Sequence, residues 1–175
     1  MAKLHNYNGR YCETEYENAF LSFLEEAGWN YLPGSSLPRT SMRDVLYIDD
    51  MEYFLNKTNP DLTADEIQQI MDTVRLAGAE SDFATLHKVY GWMVNGIQFT
   101  PQSGLPIMVN LIDFENPEKN VFRAVNQFIV EYTNNGQTEN RRPDILLFVN
   151  GIPLCIVELK NPADGNATIY GAWEQ

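Results

Sequence analysis

The chain has 175 residues, 44% apolar and 21% charged, with a formal net charge of −12 at pH 7. This is the composition of a folded domain large enough for a proper core. No apolar run reaches the roughly 18 residues of a membrane span, and two cysteines make no disulfide framework.

Met1-Ala2-Lys3-Leu4-His5 lacks the apolar core of a signal peptide, so a cytoplasmic setting with no membrane partner is expected. The acidic balance argues against a stand-alone nucleic-acid binder, because phosphate neutralisation supplies much of such a protein's affinity. If nucleic acid is the substrate, another domain or subunit does most of the holding.

Residues 1–12 read as irregular. Thr14 and Glu17 form a capping-box pattern, Tyr16, Phe20, Phe23 and Ala27 recur at helical spacing, and Gly28 is placed to close the helix, which predicts a helix over 14–28. Trp29–Leu32 reads as a short strand broken at Pro33-Gly34. Residues 41–95 read as three amphipathic helices. The first is capped by Ser41 and runs to about Lys57. The second is headed by Thr63, with Ile67, Ile70, Met71 and Val74 on one face. The third is capped by Ser81, with Phe83, Leu86, Tyr90 and Met93 inward.

From about residue 97 the texture changes to strands: Ile107–Ile112, then Val121–Val130, with a turn at Asn134-Asn135-Gly136. Two further runs, 144–149 and 152–160, are joined by Asn150-Gly151 and are apolar on both faces, as central strands covered on both sides are. The expectation is a single α/β domain over 1–175: a helix over 14–28, a helical segment over 41–95, and a central mixed sheet over 107–160 flanked by the helices. A last helix is expected to begin near Ala167. The chain stops in its first turns at Trp173-Glu174-Gln175, so a truncated piece of a larger protein is expected.

Chemistry concentrates in the last two strands. Asp144 opens one, and Glu158 and Lys160 close the other on a shared face. Two converging carboxylates make a hard oxygen site suited to Mg²⁺ or Mn²⁺, with the Leu159 backbone carbonyl as a further ligand. Lys160 would orient the attacking water and stabilise negative charge developing at phosphorus.

Register decides whether such a site exists. A plain two-residue turn at Asn150-Gly151 opposes Val149 to Ile152 and Asp144 to Val157, which puts Asp144 and Glu158 on opposite faces. A three-residue loop, or another one-residue shift, puts them on the same face.

The run RRPDILLFVNGIPLCIVELKNP, residues 141–162, resembles the nuclease core of the R (motor/endonuclease) subunit of type I restriction enzymes, in the PD-(D/E)xK nuclease superfamily. The likeness extends to 107–132 and to the first helix. It implies a restriction-endonuclease-like fold and a type I site-specific deoxyribonuclease, with Asp144 and Glu158 as metal ligands and Lys160 as the catalytic lysine. A glutamate on the first helix often completes such sites; Glu15 is the candidate and Glu17, which the capping box also explains, the alternative. The family's Gln-x-x-x-Tyr element would begin at Gln175, its tyrosine lying past the last residue, which bears on the activity of the piece alone.

The implied partners are double-stranded DNA and the specificity and methyltransferase subunits. ATP would be used only by motor domains absent here, and no phosphate-binding glycine loop occurs in the chain. Arg141 and Arg142 are candidates to meet DNA phosphates, against the blander reading of a solvated strand entry. Two other functions compete: a repair or resolvase nuclease of the same superfamily, which should carry its own basic surface, and a catalytically silent nuclease-fold interaction domain.

Overall fold

The structure, a computed structural model, describes residues 13–79 and 82–159. In chain order, helix α1 spans Glu13–Glu26, strand β1 Asn30–Pro33, and helices α2, α3 and α4 span Ile48–Thr58, Ala64–Arg75 and Asp82–Asn95. Strands β2 (Ile97–Phe99), β3 (Ile107–Val109), β4 (Phe122–Asn126), β5 (Val130–Asn134), β6 (Gln137–Arg141), β7 (Ile145–Val149) and β8 (Ile152–Val157) follow. The fold is α/β with a mixed central sheet in the order β1-β4-β7-β8; β2-β3 and β5-β6 are separate antiparallel pairs. No described helix is long and apolar enough to cross a membrane.

The chain packs as two compact units. Among the described residues, one comprises 13–45, 122–148 and 153–159; the other comprises 46–79, 82–121 and 149–152.

In the first unit α1 forms because Leu21 and Leu24 give it an apolar stripe, which it buries on Ala124 of β4 and Ile145 of β7. It ends in a Schellman motif: Gly28, at φ +92°, donates to the Glu25 carbonyl and Trp29 donates to that of Leu24. β1 lies parallel to β4, with Asn30 opposite Arg123 and Pro33 opposite Asn126. β4 and β7 run antiparallel, since the Gln127 amide, just past the end of β4, donates to the carbonyl of Asp144, just before β7 begins.

In the second unit Met51, Phe54 and Leu55 of α2 meet Ile67, Ile70, Met71 and Val74 of α3 in a buried cluster with Ile97, Val109 and Leu111. The four residues expected on the inner face of α3 are all buried. Its start is a capping box, with the Thr63 hydroxyl accepting from the Glu66 amide and the Glu66 carboxylate accepting from the Thr63 amide at 2.8 Å.

The structure corrects several expectations. α2 begins at Ile48 rather than after Ser41, because Asp44 accepts from the Ser41 amide and the Thr40 hydroxyl and holds 40–44 in a polar turn. On α4, Phe83, Leu86 and Tyr90 are exposed, while Trp92 and Met93 pack on the core. Apolar residues surround that helix, so its periodicity selects no face. Thr14 lies inside α1 rather than at its cap, and the Glu17 carboxylate is bonded elsewhere.

The apolar run over 121–130 is two strands, broken at Gln127 (φ +53°). The central sheet takes in β1 and leaves β3 out. Among the described residues β8 is an outer strand with Leu154 and Ile156 exposed, not a covered central one. The predicted last helix lies outside the described residues.

Candidate active site

The β7–β8 hairpin turns through Asn150 (φ +49°) and Gly151 (φ +76°), the left-handed pair of a two-residue type I′ turn. Both residues also serve the second unit's packing. A Cβ on Gly151 would stand 2.0 Å from the Tyr47 carbonyl oxygen, and the Tyr47 amide donates to the Gly151 carbonyl at 2.8 Å. The buried Asn150 side chain accepts from the Val121 amide at 2.7 Å and donates to the Leu111 carbonyl at 2.9 Å and to Asn120 Oδ1 at 2.8 Å.

At the far end of the hairpin, Asp144 Oδ2 accepts from the Leu159 amide at 2.7 Å. This bond draws Asp144 onto the Glu158–Leu159 peptide. Ile145 and Leu147 pack in the same cluster as Val157 and Leu159, against Leu21 and Leu24 of α1. A ladder continued unbroken from the two-residue turn would oppose Ile145 to Ile156 and Asp144 to Val157. The Asp144–Leu159 hydrogen bond ties the two ends of the hairpin together whatever the register of the pair.

These groups suit a small divalent cation. An ionised carboxylate has about four lone-pair positions, and the Leu159 amide takes one on Asp144. Among the described residues no three or more His, Cys, Asp or Glu side chains converge into a cage. A pair of carboxylates is the smaller donor set that Mg²⁺ accepts when water and substrate phosphate fill its other positions. Lys160 and Gln175 lie outside the described residues.

The remaining candidates divide. Arg141 ends β6, exposed, with Nε 3.4 Å from the Tyr132 hydroxyl. Arg142 lines a groove of about 660 Å³ with Arg39, Thr40, Asn126 and Gln127. Both helix glutamates are half-buried. The Glu17 carboxylate accepts from Asn126 Nδ2 at 2.6 Å and from Gln127 Nε2 at 3.2 Å, next to the Gln127–Asp144 backbone bond.

That corner is what reading the sequence missed. The Tyr31 hydroxyl donates to Asn126 Oδ1 at 3.1 Å, which orients the amide towards Glu17. Burial, followed by the negative charges of Glu17 and Glu25, pushes the Tyr31 phenol up. Arg39 braces the next residues: its guanidinium lies 4.1 Å over the Phe128 ring and donates to the Ile129 carbonyl at 2.7 Å, and burial lowers its pKa. The available signal was a polar Asn126-Gln127 pair interrupting a largely apolar run.

The sequence model of the type I restriction enzyme R protein N terminus matches residues 10–175. The chain is similar to the type I restriction enzyme HindI endonuclease subunit of Haemophilus influenzae, with 32% identity over 177 residues, covering 93% of this chain and 16% of the relative. It is likewise similar to the putative type I restriction enzyme MjaIXP endonuclease subunit of Methanocaldococcus jannaschii, with 36% identity over 156 residues, covering 83% of this chain and 15% of the relative. The chain thus spans about one sixth of the length of these relatives.

Proposed function

Because this chain belongs to the type I restriction enzyme R protein N-terminal family, a restriction-system nuclease family, we propose that it is the metal-dependent endonuclease module of such an enzyme, hydrolysing phosphodiester bonds of double-stranded DNA. One observation carries the reading: Asp144 bonds to the Leu159 amide at 2.7 Å, which joins the first carboxylate to the Glu158-Leu159-Lys160 segment. Asp144 and Glu158 would hold Mg²⁺ or Mn²⁺, with the Leu159 carbonyl as a further ligand. A bound cation of this kind supplies Lewis-acid polarisation of a phosphoryl oxygen and a more acidic water.

The protein's own groups do the rest. The hydrogen bond donated by the Leu159 amide fixes the Asp144 carboxylate, so the site needs little reorganisation. The Lys160 ammonium orients the attacking water and offsets charge developing on the phosphoryl oxygens. Arg142, in the groove beside Gln127, meets a backbone phosphate; Arg141 and Gln175 are further candidates for DNA contact. The helix glutamate Glu17 accepts from Gln127, whose backbone amide bonds to the Asp144 carbonyl. Site choice belongs to the specificity and methyltransferase subunits, and ATP-driven movement to motor domains elsewhere in the R subunit. That division suits a module carrying a charge of −12.

The test is Mg²⁺-dependent cleavage by the assembled holoenzyme. Lys160→Ala should lower the rate about 10²- to 10³-fold, the loss typical of removing one stabiliser of transition-state charge. Undiminished cleavage would remove the catalytic assignment.

A further inference from the structure

Gln127 occupies a conformation that its residue type disfavours. At φ +53° it is left-handed, a region open to glycine and tolerated by asparagine but costly for a longer side chain. A turn whose only task was to end β4 would be served better by glycine. What distinguishes the glutamine is the use made of both its ends. Its backbone amide donates to the Asp144 carbonyl at 3.0 Å. Its side-chain amide donates to Glu17 Oε2 at 3.2 Å, while Asn126 holds Oε1 at 2.6 Å. Tyr31 fixes Asn126 in turn.

The corner is closed from outside as well. A Cβ on Gly34 would stand 2.5 Å from the Asn126 carbonyl oxygen and 2.9 Å from that of Gln127. Arg39 clamps Phe128 and Ile129 immediately after it. A rigid network therefore ends on the backbone of Asp144.

We propose that Gln127 is a positioning residue for Asp144, with Glu17 and Asn126 as its anchor: the Glu17-bonded side chain locks the left-handed backbone, and that backbone fixes where the Asp144 carboxylate stands. The inference rests on the assignment of Asp144 as a metal ligand. Removal of residues that orient metal ligands typically weakens metal affinity 10- to 100-fold. Gln127→Gly deletes the anchor while relieving the backbone. Gln127→Asn keeps a residue suited to left-handed φ, with an amide too short to reach Glu17.

Both variants, Asp144→Asn and the parent are compared as full-length chains by Mn²⁺ titration, followed by electron paramagnetic resonance of the free ion, and by thermal unfolding. The Mg²⁺ concentration for half-maximal cleavage is measured on the holoenzyme. The expected result is Mn²⁺ binding about 10- to 100-fold weaker in the two Gln127 variants, with a matching rise in the Mg²⁺ requirement and no fall in Tm for Gln127→Gly. Mn²⁺ affinity within twofold of the parent in both variants, while Asp144→Asn abolishes binding, overturns the positioning role alone. A parallel fall of Tm and affinity in both makes Gln127 merely structural and overturns it too. Unchanged binding by Asp144→Asn overturns the site assignment, and this inference with it.

Discussion

At the scale of single residues, the molecule sets side chains to work whose type alone suggests little. Asn150 is the clearest case. Its pairing with Gly151 marks a hairpin, yet its buried side chain also ties Leu111, Asn120 and Val121 together. Asn150→Ala leaves the Leu111 carbonyl and the Val121 amide without that partner, so a loss of about 2–3 kcal/mol is expected in denaturant unfolding. Gly34→Ala places its methyl against two backbone carbonyl oxygens. It should lower Tm, whereas Ser35→Ala, at an exposed neighbour, should leave it within a degree or so. Asp144→Asn removes the carboxylate charge and should abolish saturable Mn²⁺ binding, measured by calorimetry.

At the scale of elements, α3 shows sequence and structure agreeing at every level. Its apolar face and its capping box are set by residues three or four apart, and that face is the one buried against α2. Its cap also makes stability depend on pH. The Thr63 and Gln102 amides, and then the Thr63 hydroxyl, hold the Glu66 carboxyl below its ordinary value of 4.5. The folded protein therefore takes up this proton less readily than the unfolded chain. The resulting stability is fully present above about pH 4.5 and is lost as pH falls through the lower folded-state value. Thermal melts from neutral to acid pH should show a smaller acid-induced drop for Glu66→Gln than for the parent. α4 is the counterexample: with apolar residues on every side, only its neighbours determine that Trp92 and Met93 face the core while Phe83 and Leu86 do not.

At the scale of the whole molecule, charge and likeness point the same way. A net charge of −12 cannot by itself attract DNA, so under the proposed function local cations such as Arg142 would act within a larger assembly. If Arg142 pairs with one phosphate, Arg142→Ala should reduce the salt dependence of holoenzyme binding by about one unit of slope in log K against log salt. A fluorescence-anisotropy titration across salt concentrations measures it; an unchanged slope would remove Arg142 from the interface.

Much of this protein was legible along the chain because much of it is local. The Schellman cap at Gly28, the capping box of α3, the tight turn at Asn150-Gly151 and the α/β class all follow from residues close in sequence. So do the pattern of Asp144, Glu158 and Lys160 and the family that pattern resembles. The break at Gln127, the inward face of α4 and the edge position of β8 depend on partners far along the chain, which periodicity cannot supply. The Asp144–Leu159 hydrogen bond, which ties the two ends of the hairpin, belongs with them. Ile145, Val157 and Leu159 pack in one cluster with Leu21 and Leu24 of α1, because burying apolar side chains from distant segments is a tertiary gain that no local pattern contains.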